Sequence, residues 1–146
     1  MTEKKTKILV TVDGSENSMR ALTEAKKYGE MSQAEITILS VLNHGFALQS
    51  IKETSSDNGK PEQTREEIGE AILTEALKSF KDYEGEVYTS LRNGYPADEI
   101  LEEADFGEFD LIVMGSRGLG LFSRTFLGSV SNKVLNHTKS NVLIVK

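Results

Sequence analysis

Apolar residues along this chain come in short dense runs separated by longer stretches with a helical repeat. Lys7-Ile-Leu-Val-Thr-Val12, Glu35-Ile-Thr-Ile-Leu-Ser-Val41, Glu86-Val-Tyr-Thr-Ser-Leu91, Asp110-Leu-Ile-Val-Met114 and Asn141-Val-Leu-Ile-Val-Lys146 are rich in β-branched and aliphatic residues. They are too short for stable helices, and each predicts a strand. Between them, Ser15 is placed to cap a helix running to about Met31, with Met19, Leu22, Ala25 and Tyr28 as its apolar face. Thr64-Arg-Glu-Glu67 is a capping box opening a second helix with Ile68, Ile72, Ala76 and Phe80 on one side. Pro96 suits the first turn of a third helix carrying Ile100, Leu101 and Ala104, with Gly107 near its stop. A fourth helix is expected from Ser129 to about His137. The polar segment from Asn43 to Gln63 reads as a loop.

Strands alternating with helices, the strands apolar almost throughout, predict an α/β fold: an open five-stranded parallel sheet with helices on both faces and right-handed crossovers. Ligands of such sheets sit beyond the carboxyl ends of the strands, where the strand order reverses. Two loops are positioned for that role. One follows the first strand and contains Asp13; the other follows the fourth and is rich in glycine.

The glycine-rich stretch carries most of the chemistry. Gly115, Gly118, Gly120 and Gly128 fall within fourteen positions, and each has a large backbone entropy to lose on folding. The stretch leaves a strand and enters a helix beginning Gly128-Ser-Val-Ser131, and a helix N-terminus offers unpaired N–H groups and a partial positive charge. Arg117 and Arg124 are further candidate charge partners. A P-loop does not fit, because no Gly-Lys-Ser/Thr occurs, and the dinucleotide fingerprint would have to follow the first strand, which ends in Asp13-Gly14-Ser15. The pattern present is Gly115-x2-Gly118-x9-Gly128-Ser129, with Thr11-Val-Asp13-Gly-Ser15 after the first strand.

These two motifs, at the ends of the strands that should carry them, resemble the ATP-binding branch of the universal stress protein family, and the resemblance extends over essentially the whole chain. It implies one Rossmann-like domain over residues 1–146 of the adenine nucleotide alpha hydrolase-like type, with strand order 3-2-1-4-5. It implies that Gly115, Gly118, Gly128, Ser129 and Val130 line the phosphates of ATP, with Ser131 close by. Thr11, Val12 and Asp13 would meet the nucleoside, Val41 would offer backbone hydrogen bonds to adenine, and Met114 would lie near the ribose. Magnesium would arrive with the nucleotide, held mainly through phosphates. The family also pairs its last strand across a homodimer axis, which places Val142 to Val145 at the interface.

Simpler roles compete at each position. The glycine stretch can be a connection with no ligand, Asp13 a helix cap in rivalry with Ser15, and Ser129 and Ser131 plain helix-start residues. A helix or loop can cover the last strand's edge in place of a second chain. His44 and His137 are isolated, so a protein-made metal cage is not expected; acid pairs such as Glu66-Glu67 and Glu102-Glu103 read as solvated faces. Three functions follow: an ATP-binding regulatory homodimer with an unknown protein partner, a slow ATPase, or a nucleotide-free dimeric scaffold. No catalytic constellation is recognisable.

Composition narrows the setting. The 146 residues carry a net charge of −6 and no basic run, which disfavours nucleic acid as a partner. There is no cysteine, which removes disulfides and thiolate chemistry. No apolar run approaches the ~20 residues that span a bilayer, and the charged N-terminus lacks a signal-peptide pattern. The expectation is a cytoplasmic protein without membrane contact.

Overall fold

The computed structural model describes residues 4–43, 64–117 and 127–146. Gly118, Gly120 and Arg124, His44 and nearly all of the expected 43–63 loop therefore lie outside the described residues. Strands β1 (Lys7–Thr11), β2 (Glu35–Leu42), β3 (Val87–Asn93), β4 (Leu111–Gly115) and β5 (Asn141–Val145) alternate with helices α1 (Glu16–Glu30), α2 (Arg65–Lys78), α3 (Pro96–Gly107) and α4 (Ser129–His137). All strands are parallel and their order is β3-β2-β1-β4-β5, the order that the resemblance implied. The reversal lies at β1, which pairs with β2 on one side and with β4 on the other through Ile8↔Leu111, Leu9↔Ile112 and Val10↔Val113.

Each central strand feeds two cores, because successive side chains point to opposite faces. Ile8, Val10 and Val12 of the β1 segment, Ile36 and Ile38 of β2 and Val113 of β4 pack under α1 and α2, with Leu22, Leu73, Ala76 and Phe80. Leu9, Leu39, Ile112 and Met114 pack under α3 and α4, with Ile100, Ala104, Phe109 and Val134. At the two edges, β3 and β5 are only partly buried.

The caps follow the sequence closely. Ser15 accepts the Ser18 N–H and starts α1, and Thr64 accepts the Glu67 N–H and starts α2. Pro96 occupies the start of α3. At the end of α3 the left-handed residue is Glu108 (φ 52°) rather than glycine; Gly107 is the last helical residue.

Two helix faces differ from expectation. On α1, Leu22 and Ala25 are buried as expected, but Met19 and Tyr28 are 37% and 38% exposed, and the packed face is completed by Asn17, Ser18, Ala21 and Gly29. Ala21, Ala25 and Gly29 surround the buried Leu22 in this contact, and Met19 and Tyr28 lie at its margin. On α2 the fully buried positions are Gly69, Leu73 and Ala76, with Phe80 just beyond the helix, while Ile72 is only partly buried at the core's margin and Ile68 is likewise half-buried. A Cβ on Gly69 would stand 2.6 Å from Leu91 and 2.7 Å from Leu42, so the bare Cα is what seats α2 on β2 and β3.

Glu102 and Glu103 also depart from a merely solvated role. Arg92 on β3 reaches Glu99 at 2.9 Å, Glu102 at 3.0 Å and Glu103 at 3.4 Å on α3. Partial burial works against the Arg92 charge, but the hydrogen bond and attraction of Glu99, with Glu102 and Glu103, outweigh it and raise its pKa.

The difference between Leu22 and Met19 on α1 is measurable. Leu22→Ala, at a side chain only 1% exposed, should cost about 2–5 kcal/mol in denaturant unfolding. Met19→Ala should cost less than about 1 kcal/mol by the same assay. Equal losses would contradict this packing.

Candidate functional site

The carboxyl ends of β1 and β4 are neighbours, so the loops that follow them share one crevice. On the β1 side, the ladder to β2 ends with Thr11↔Leu39 and one further bond, from the Val12 N–H to the Leu39 carbonyl at 2.9 Å. Thr11 is partly buried and Val12 is core. Asp13 is half-buried and accepts the Ser15 N–H at 2.9 Å. It closes a turn onto the cap residue, while Ser15 itself caps α1, which resolves the rivalry between them. The Asp13 N–H in turn donates to the Ser18 hydroxyl at 3.3 Å.

On the β4 side the chain is fastened at Ser116. Its N–H donates to the Val145 carbonyl of β5 at 2.8 Å, and its carbonyl accepts the Gly128 N–H at 2.8 Å. The two ends of the glycine-rich stretch are thus hydrogen-bonded to each other. The buried Ser131 hydroxyl donates to the Gly115 carbonyl at 2.7 Å, tying the first turn of α4 to the last residue of β4. Gly115 meets α1 directly: a Cβ there would fall 2.9 Å from Asn17 Cβ and 3.1 Å from its carbonyl carbon. Arg117 is partly buried at the point where the chain leaves this base.

The start of α4 differs electrostatically from the other helix starts. Gly128 is its N-cap and makes no side-chain cap bond, and its first turn holds no acid. Helices α1 and α2 have hydroxyl caps and first-turn glutamates, and α3 has Asp98 and Glu99 in its first turn. A helix start leaves the first N–H groups without intrahelical acceptors; here these belong to exposed Ser129, half-buried Val130 and buried Ser131. That arrangement suits an anion.

The remaining expected residues lie around this base. Met114 is 3% exposed and belongs to the α3/α4 core, against which Val130 and Val41 also pack. Val41 lies two residues past the end of the β1–β2 register, on a stretch of β2 that pairs with β3 through Val41↔Arg92. Its edge toward β1 is therefore outside the ladder. Sequence reasoning missed Asn17 and Ser116. Asn17 is buried, and its side-chain amide donates to the Ser116 hydroxyl at 3.0 Å; the one signal was a short polar residue two positions after the capping Ser15. Among the described residues, no group of three or more His, Cys, Asp or Glu can hold a metal ion, and no helix is long and apolar enough to cross a membrane.

The five-stranded parallel sheet of order β3-β2-β1-β4-β5 places the chain in the doubly wound α/β class. Residues 5–146 match the model of the universal stress protein family. The chain is 36% identical to universal stress protein YxiE of Bacillus subtilis, over 96% of this chain and 98% of that protein. Among solved structures, it is similar to the protein MJ0577 of Methanocaldococcus jannaschii, with 26% identity, a TM-score of 0.73 and coverage of 97% and 95%. It is also similar to a universal stress protein crystallised in complex with cAMP, with 28% identity, a TM-score of 0.69 and 98% of both chains covered. The chain belongs to the universal stress protein family.

The two serines at the start of α4 should separate in a stability measurement. Ser131→Ala removes a buried donor from the Gly115 carbonyl and should cost about 1–2 kcal/mol in urea unfolding. Ser129→Ala, at an exposed position, should change stability by no more than about 0.5 kcal/mol.

Proposed function

We propose that this protein binds an adenine nucleotide, ATP with its magnesium, in the crevice between the Asp13 loop and the start of α4, and acts as a regulatory module rather than as a dedicated catalyst. The observation that carries the reading is the α4 N-terminus, where a glycine cap, no first-turn acid and two serines converge at the strand-order reversal. A relative of the same fold crystallised with cAMP supports the adenine part. The motif Gly115-x2-Gly118-x9-Gly128-Ser129 supports the polyphosphate part.

In this reading the N–H groups of Ser129, Val130 and Ser131 and the Ser129 hydroxyl take phosphate oxygens. The Gly128 N–H is already bonded to Ser116, so Gly128 contributes close approach rather than a donor. Arg117 adds positive charge. The β1-facing edge of β2 at Val41 supplies backbone groups for adenine, and Thr11 to Asp13 border the nucleoside. Met114, deep in the core, acts as floor. Magnesium is held by phosphates and water. The protein works as a homodimer through β5, whose Val142 to Val145 are only partly covered at the sheet edge. A difference in affinity between ATP and ADP would make the module a switch, because a ligand shifts an equilibrium only by its differential affinity.

Calorimetric titration of nucleotide-stripped protein with ATP, ADP and AMP in the presence of magnesium tests this. Binding of about one ATP per chain is expected, weakened roughly tenfold or more by Gly118→Ala and several-fold by Ser129→Ala, each with an unchanged unfolding midpoint. Sedimentation of the same samples should give twice the chain mass. Folded dimer with no heat at millimolar ATP would leave the scaffold reading in its place.

A further inference from the structure

The first turn of α1 touches both walls of the crevice through adjacent residues. Ser18 receives the Asp13 N–H on its hydroxyl and is itself bonded to the Ser15 carbonyl at 2.9 Å. Asn17 donates from its side-chain amide to the Ser116 hydroxyl at 3.0 Å. Ser116 is in turn the residue whose backbone joins β4 to β5 and to Gly128. Because Gly115 has no side chain, Asn17 can sit against it closely enough to make this reach.

We propose that Asn17 is a positioning residue of the binding site: through Ser116 it sets the distance of the α4 N-terminus from the Asp13 loop. The proposal rests on the nucleotide reading above, but it concerns the protein's own geometry and can fail separately. Asn17 need not touch the ligand. Its amide fixes the Ser116 side chain, the Ser116 carbonyl fixes the Gly128 N–H, and Gly128 is the cap from which Ser129 and Val130 are presented. Binding geometry displaced by a fraction of an ångström weakens every donor in the set at once.

Two single variants and their combination test the link. Asn17→Ala, Ser116→Ala and the double variant would be titrated with magnesium-ATP, and exchange of the Gly128 amide would be followed by NMR in the ligand-free protein. Ser116→Ala is the gentler change and covers the case in which Asn17→Ala fails to fold. The expected result is about tenfold weaker ATP binding in each single variant, equivalent to about 1.4 kcal/mol. The double variant should be no weaker than either single one, because a shared interaction can be lost only once. Gly128 exchange should be faster in all three. Unaltered binding in the single variants, or effects that simply add, would overturn the proposal. If the unmodified protein binds no ATP, the nucleotide reading falls and Gly128 exchange decides alone: faster exchange upholds the positioning link, and unchanged exchange removes it.

Discussion

The pairing of β1 with β4 is the contact on which the rest of this molecule depends. Three residue pairs, Ile8↔Leu111, Leu9↔Ile112 and Val10↔Val113, join segments about a hundred residues apart. No local propensity can produce them. They form because β1 and β4 are each apolar on both faces, so each needs covering helices above and below and a neighbour on both sides. Once β4 lies beside β1 and β2 lies on the other flank, the connections from β1 and from β4 leave in opposite directions. A crevice must then open between their loops. The site is a consequence of the strand order and would exist in outline with other residues lining it.

What makes this outline specific is the closeness of α1. The helix packs on the sheet through Ala21, Leu22, Ala25 and Gly29, the last against Ile36 of β2, and its first turn is pressed against Gly115. Asn17 and Ser18 are therefore buried polar residues at a place where each must find a partner, since an unsatisfied buried polar group is costly. They find them on the two loops. The same steric constraint that seats the helix thus forces its polar residues into bonds that set the crevice. A bulkier residue at 115 or at 21 would change the packing and the site together.

The sequence was legible where the physics is local. Ser15, Thr64 and Pro96 marked three helix starts, and each is used as its chemistry dictates. The strand runs were legible because apolar β-branched residues in short blocks admit few alternatives. Helix faces were less so. Beside Leu22 and Ala25, Met19 and Tyr28 fit a helical repeat as well as Ala21 and Gly29 do, and a hydrophobicity argument prefers the larger residues. The structure buries Ala21 and Gly29 beside Leu22 and Ala25 and leaves Met19 and Tyr28 at the margin. On α2 the close approach of Leu42 and Leu91 to Gly69 turns Gly69 and Leu73 to the sheet and leaves Ile68 and Ile72 half-buried beside them. The site showed a similar division. The glycine pattern pointed to the stretch after β4, which the structure returns to α4 beside the strand-order reversal, but the Asn17–Ser116 bond spans ninety-nine positions, and nothing in the spacing of either residue foretells it.

Ser116 also joins the crevice to the sheet edge. Its N–H is bonded to the Val145 carbonyl, one step beyond the Gly115↔Val145 pair that ends the β4–β5 ladder. A shift of Ser116 toward or away from α1 therefore strains three bonds: to Asn17, to Gly128 and to β5. Interiors packed at crystal-like density pass such displacements on instead of absorbing them. The start of α4 and the partly covered edge strand β5 are thus joined through one residue's backbone. In a sheet whose edge is left partly bare, that bond joins the base of the glycine-rich stretch to the strand at which the proposed dimer would form.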